Sequence, residues 1–191
     1  MATYGAKYLQ WAPFKADAAD DSPAAYPKYD TPVNLGALVA VTDAITNAEA
    51  KNYGDNSLQE YASEFQEMTV DVEVTEMSNA VAAKVFGAAS IESGDLEYGT
   101  EDNQPYGGMA FYVSKQVKDK KYYQGIYYPK LKASRQGATY NTKGQSITFA
   151  NGKAHFVGSA GANGKYQVFS KNFDTESEAK SWVDDKIKAS V

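Results

Sequence analysis

The sequence predicts a mainly β fold, and three observations carry that prediction. Fifteen Tyr and eight Phe stand against four Met, and aromatic rings cover a pleated surface better than they line a helix. Between Glu67 and Glu76, Met68, Val70, Val72 and Val74 alternate with Glu67, Thr69, Asp71, Glu73 and Thr75, the period of two that separates a dry strand face from a wet one. Asn151-Gly152 lies between 146–149 and 154–158 and is the strongest short signal for a two-residue hairpin turn, whose central positions both take positive φ.

Composition sets the limits. At 191 residues and 43% hydrophobic content, the chain closes one domain around a real core and is short for two, so 1–191 reads as a single domain. A net charge of -5 repels nucleic acid, which argues against a DNA-binding regulator. Cysteine is absent, which removes disulfides, thiolate nucleophiles and cysteine-ligated zinc and fits assembly in a reducing cytoplasm. The first residues lack a basic start and an apolar run, and no stretch approaches membrane-spanning length; no membrane partner is expected.

Along the chain, residues 6–12 read as a short strand ended by Pro13, which has no amide hydrogen to donate. Residues 14–31 carry Pro23 and Pro27 among Asp and Ala and read as a long N-terminal loop. From Val33 to Asn47, Leu35, Ala37, Val39 and Val41 alternate with other residues and predict a strand. Residues 48–60 are polar and turn-rich and predict a projecting hairpin loop. After the 67–76 strand the period changes: Ser78 or Asn79 caps a short helix with Val81, Val85 and Phe86 on one side and Gly87 as its stop. Residues 109–117 and 121–132 predict a β-hairpin around Lys118-Asp119-Lys120. A last strand, 165–170, leads to Thr175-Glu176-Ser177-Glu178, a capping box opening a C-terminal helix over 175–189 with Ala179, Trp182, Val183 and Ile187 as its apolar stripe.

Catalytic and metal chemistry find little support. His155 is the only histidine, so a Ser-His-Asp relay has to pass through it, yet it reads as an ordinary strand residue. Asp20-Asp21 and Asp184-Asp185 are adjacent acids with no sign of a glycosidase separation. Asp95, Glu97, Glu101 and Asp102 are hard oxygen donors without EF-hand spacing. Gly158, Gly161 and Gly164 precede no helix and imply no phosphate loop. Neither enzyme activity nor a cofactor or metal is expected.

Tyr4–Phe14, Ser78–Ala88 (Ser-Asn-Ala-Val-Ala-Ala-Lys-Val-Phe-Gly-Ala), Pro105–Val113 and Lys121–Ala133 with its Tyr-Tyr-Gln-Gly-Ile-Tyr-Tyr-Pro-Lys stretch follow one another. Thr142-Lys143-Gly144-Gln145-Ser146-Ile147-Thr148-Phe149 and the block Phe173–Ile187 complete the order. In that order the chain resembles the major tail proteins, or tail tube proteins, of long-tailed phages and prophages of Gram-positive bacteria. The resemblance implies a β-sandwich or incomplete barrel flanked by a helix, stacked as hexameric rings into a DNA-conducting tube. It implies a structural virion protein of the tail, assembled in the host cytoplasm. Its implied partners are a tape measure protein, tail terminator and initiator proteins, and double-stranded DNA in transient non-specific passage. Four long strands from each of six copies close a barrel of ~24 strands, and ~4.8 Å spacing with ~40° tilt gives a backbone diameter of roughly 48 Å. Side chains leave a bore of roughly 38 Å against roughly 20 Å for the duplex.

Within that picture Glu67, Thr69, Asp71 and Glu73 are the candidates for the lumen, since carboxylates there repel a sliding polyanion; an acidic face turned to bulk solvent is the plain alternative. Lys51, Asn52, Tyr53, Asp55 and Asn56 are candidates for contact between rings. Lys118, Lys130, Lys132 and Arg135, with Lys120 and Lys121 nearby, form a basic group able to pair with a neighbouring subunit. The competing reading is a monomeric β-sandwich binding module that offers Tyr122, Tyr123, Tyr127 and Tyr128 to a carbohydrate. The tail reading takes those rings as core and intersubunit packing.

Overall fold

The computed structural model describes residues 2–15, 27–90, 93–138, 142 and 150–189. The chain is mainly β and its strands pair antiparallel. In chain order it forms β1 (Ala2–Pro13), β2 (Val33–Asn34), β3 (Leu38–Gly54), β4 (Ser57–Val74), α1 (Asn79–Phe86), β5 (Ala89–Ser90) and β6 (Leu96–Glu97). Then follow β7 (Tyr106–Val117), β8 (Lys120–Ser134), β9 (Gly152–Gly158), β10 (Val168–Phe173) and α2 (Glu176–Lys186). One sheet runs β2-β1-β7-β8-β9-β4-β3, with β10 beside β8, and β5 and β6 make a separate small ladder.

The sheet folds over so that its two halves share one core. Leu9 and Trp11 of β1, Met109 and Phe111 of β7 and Tyr128 and Leu131 of β8 meet Met68, Val70, Val72 and Val74 of β4 and Phe156 of β9. The chain crosses from one edge of the sheet to the other at 35–37, where the Leu35 amide donates to the Leu9 carbonyl and the Thr75 amide to the Ala37 carbonyl. On the opposite face of β1, β7 and β8, Ala179 and Val183 of α2 and Ile187 just after it pack with Tyr29, Tyr112 and Tyr127. That leaves one outer face of the domain clad by a helix and the other, over β3, β4 and β9, without a covering element among the described residues.

Local signals account for the elements that match expectation. The dry face of β4 is fully buried from Met68 to Val74. Ser78 caps α1, and Gly87 ends it at φ 65 with its amide donating to the Ala83 carbonyl, the left-handed stop that lacks a Cβ penalty only in glycine. Both reciprocal bonds of the Thr175–Glu178 capping box form at the start of α2, and the hairpin turn between β7 and β8 falls at Lys118, where φ is 53.

Other expectations need correcting. The expected 33–47 strand breaks after Asn34, whose Oδ1 accepts from the Gly36 amide at 2.8 Å, and resumes as β3. The expected loop 48–60 is strand on both sides of a two-residue turn at Asp55-Asn56, where φ is 50 and 61. The hairpin turn expected at Asn151-Gly152 is absent, because Gly152 opens β9 in register with Val74; the other arm of that hairpin, 146–149, lies outside the described residues. The first strand is longer than 6–12 and includes Pro13, and the last lies at 168–173 instead of 165–170. Of the 14–31 loop the ends are seen, closed by the Lys15 amide donating to the Lys28 carbonyl, and 16–26 lie outside the described residues.

Tyrosine hydroxyls stitch the clad face. Tyr8 donates to Asp184 at 2.8 Å, Tyr112 donates to Glu176, and the Tyr29 and Tyr127 hydroxyls meet at 2.6 Å. Burial, aided by Asp184, pushes the Tyr8 phenol from its ordinary 10 up to about 12, and burial likewise raises Tyr112, Tyr127 and Tyr128. The neutral phenols are therefore favoured in the folded state. Their contribution is complete below pH 10, the ordinary value, and falls as pH rises above it, the Tyr8 share being lost as pH climbs through about 12. Denaturant midpoints measured across the alkaline range should stay level to about pH 10 and then fall steeply; a flat profile to pH 12 would contradict this.

Candidate assembly surface

Strands β3 and β4 hold 17 and 18 residues, far beyond the usual 5–6. Only their inner ends belong to the body: β9 pairs with β4 from Met68 to Val74 and no further. From Asn47 and Phe65 outward, among the described residues, the two strands pair with each other alone, a two-stranded arm projecting from the domain. Side chains are exposed along it, Tyr53 at 66%, Leu58 at 51% and Tyr61 at 50%. Phe65 anchors its root by stacking on Tyr166, centroids 4.0 Å apart and planes 6° from parallel. At mid-arm Tyr61 and Lys51 hold the Glu49 carboxyl below its ordinary pKa, the hydroxyl at 2.8 Å and the ammonium at 3.1 Å.

Register defines the two faces of this ribbon. Inward, the row Val74, Val72, Val70 and Met68 continues onto the arm as Phe65, Ser63, Tyr61 and Leu58, opposite Asn47, Glu49, Lys51 and Tyr53. Outward, Glu73, Asp71, Thr69 and Glu67 continue as Glu64, Ala62 and Glu60, opposite Ala40, Thr42, Ala44, Thr46, Ala48, Ala50 and Asn52. The phase changes because Gln66 is an extra residue between Glu67 and Phe65, a bulge that shifts the alternation by one. The outward face is therefore a long strip of small residues on β3 beside a row of carboxylates on β4.

All four residues predicted for the lumen share that face; Glu67 and Asp71 are exposed, Thr69 and Glu73 half-buried. Their charge is not left alone. His155 Nδ1 lies 2.7 Å from Asp71, Asn151 donates to Glu73 at 2.7 Å, and Lys153 sits in register with Glu73. An open groove of about 500 Å³ runs beside them, lined by Ala40, Thr42, Asp71, Glu73, Gln136, Lys153 and His155. The surface is mixed near β9 and becomes purely acidic only toward the arm, where Glu60 and Glu64 extend the row. Sequence spacing hides those two, because even-numbered Glu60 and Glu64 join odd-numbered Glu67 only through the bulge.

The predicted inter-ring residues Lys51, Asn52, Tyr53, Asp55 and Asn56 occupy the end of the arm, all exposed. The predicted basic group is divided. Lys118 lies at the turn joining β7 to β8, whereas Lys130, Lys132 and Arg135 lie at the other end of β8. There Lys130 and Lys132 stand 4.9 and 5.3 Å over the Tyr106 ring, and Arg135 stands 4.0 Å over Tyr98. Of the tyrosines a sugar platform would use, Tyr127 and Tyr128 are buried and Tyr122 and Tyr123 half-buried. Among the described residues no group of three His, Asp or Glu side chains is placed to hold a metal ion, and no helix is long and apolar enough to cross a membrane. The chain matches no protein-family model, and comparison with curated proteins gives no match.

Proposed function

We propose that this chain is the major tail protein of a long-tailed phage or prophage, a structural subunit that stacks as hexameric rings into a DNA-conducting tube. The observation that carries the reading is the β3–β4 arm. A lone two-stranded ribbon is marginal in water, and this one offers long hydrogen-bonding edges and exposed rings on a monomer. A neighbouring copy that pairs with the β3 edge turns the liability of an open strand into an assembly contact, and ring closure limits its growth. The bare face of β3, β4 and β9 then forms the bore, with α2 on the outside. Small side chains and carboxylates suit a wall past which a polyanion slides. Tape measure, initiator and terminator proteins would set the length and ends of the tube.

Purified protein examined by sedimentation and electron microscopy should give rings or tubes of uniform bore. A chain that stays monomeric at every concentration, with and without tail initiator, would end the reading. Charge reversal offers a second check. Tubes of the triple variant Glu67→Lys, Asp71→Lys, Glu73→Lys should retain duplex DNA on co-sedimentation at ~50 mM salt and release it near ~200 mM, because phosphate neutralisation is salt-dependent. Wild-type tubes should retain none.

A further inference from the structure

We propose that the β3–β4 arm is a hinged element, bending at the Gln66 bulge and held in its projecting pose by a latch of two consecutive side chains, Tyr166 and Gln167. The device lies within a single copy and goes beyond the assembly reading above.

The hinge is a gap in support. β9 pairs with β4 as far as the Met68–Gly158 rung, and the extra residue Gln66 follows at once, between the Thr46–Glu67 and Asn47–Phe65 rungs. A bulge breaks the ladder locally and bends the strand that carries it, and a ribbon of two strands has little else to resist the bend. Burial does not fix the pose either: Ile45, opposite Met68 on the inward face of β3, is 45% exposed.

The latch sits beside the hinge. Residues 159–167 carry the chain from β9 to β10, and their own hydrogen bonds make the segment compact. The Gly161 amide donates to the Lys165 carbonyl at 3.0 Å, the Gly164 amide donates to the Gly161 carbonyl at 2.8 Å, and Gly164 takes φ 71. The Lys165 amide closes the turn on Asn163 Oδ1 at 3.1 Å. The next two side chains are thereby delivered at a fixed place. The Tyr166 ring lies flat on Phe65, the first arm residue past the bulge. Gln167 Nε2 donates to Asp43 Oδ2 at 2.9 Å, an oxygen that also accepts from the Tyr128 hydroxyl at 3.2 Å. Tyr128 is buried in β8, so Asp43 ties β3 to the other half of the sheet while Phe65 ties β4 to the segment ahead of β10. Each strand of the ribbon is gripped once.

Contacts of this size hold without locking. A stacked aromatic pair shifts a two-state population by about two- to tenfold, and a hydrogen bond to a carboxylate adds about tenfold. The latched pose therefore dominates while the released one stays within reach. An arm already aimed also spares any partner the cost of ordering it.

The absence of cysteine allows a clean test. Spin labels at Asn52→Cys on the arm and Ser177→Cys on α2, at a dilution where the chain sediments as a monomer, should give one narrow distance distribution by pulsed electron spin resonance. Adding Tyr166→Ala with Gln167→Ala should widen it at least twofold. Tyr166→Phe, which keeps the ring, and Tyr61→Ala, at mid-arm and outside the latch, should leave it narrow. Amide hydrogen exchange along β9 should match the parent throughout, which separates a freed arm from a loosened body. A distribution as narrow in the double variant as in the parent overturns the proposal, as does one already broad in the parent or a widening that comes with lost protection of β9. Should the double variant fail to fold, Phe65→Ala removes the stack from the side of the arm and the same outcomes decide. The readout is on single copies, so its failure leaves the assembly reading standing, and a chain that never assembles leaves the latch standing.

Discussion

A chain lacking Asn52–Ser57 will fold, melt within a few degrees of the parent, and form no tubes. The deletion removes the turn at Asp55-Asn56 and the three outermost rungs, Asn52 with Glu60, Tyr53 with Leu58 and Gly54 with Ser57. What remains includes the Lys51–Tyr61 rung, the Phe65–Tyr166 stack and the whole ladder of β4 with β9. Nothing removed belongs to either hydrophobic cluster, so the stability change should stay within roughly 0.5 kcal/mol, the range of surface substitutions away from the core. Assembly, in contrast, loses the segment proposed for contact between rings. Thermal melting paired with electron micrographs of the same preparation checks both halves; tubes of normal length would refute the role of the arm.

The second large effect falls at the crossing between β2 and β3, and it is on stability. Gly36 has φ 128, and a Cβ built there would lie 2.2 Å from the Glu76 carbonyl oxygen and 3.3 Å from the Val74 Cβ. Gly36→Ala therefore meets backbone strain of about 1–3 kcal/mol and a steric conflict of about 1–3 kcal/mol. Both act on the segment that brings the two sheet edges together. The sum is a large share of a typical stability of roughly 5–15 kcal/mol, so soluble yield and the denaturant midpoint should drop sharply. Gly137→Ala, where a Cβ would meet nothing within 4 Å, is the control and should change stability by less than about 0.5 kcal/mol. Equal midpoints for the two variants would show that the crossing tolerates other paths.

These effects also mark what the sequence makes legible. Met68–Val74 and the caps at Ser78, Gly87 and Thr175 are readable because burial on one face, or a hydrogen bond within four residues, is written locally. The arm is not, because alternation reports burial and not pairing. A ribbon wet on both faces, with Asn52, Gly54, Asp55 and Asn56 near its tip, has the composition of a loop. Asn151-Gly152 misleads for the related reason that a turn signal yields when tertiary pairing, here to Val74, claims the residue. The real tight turn uses Asp55-Asn56, two residues whose short polar side chains tolerate the left-handed region. Half of the candidate surface was equally hidden: Lys153 and His155 come to the acidic row from β9, and Lys132 and Arg135 meet Tyr106 and Tyr98 only after β8 has folded.

The most direct measurement is a cryo-EM reconstruction of the assembled protein. The account predicts a tube whose bore is lined by the outward face of β3 and β4, with Glu60, Glu64, Glu67, Asp71 and Glu73 pointing at the axis and α2 at the outer radius. A tube with those carboxylates on its exterior, or an assembly with no bore, would contradict it.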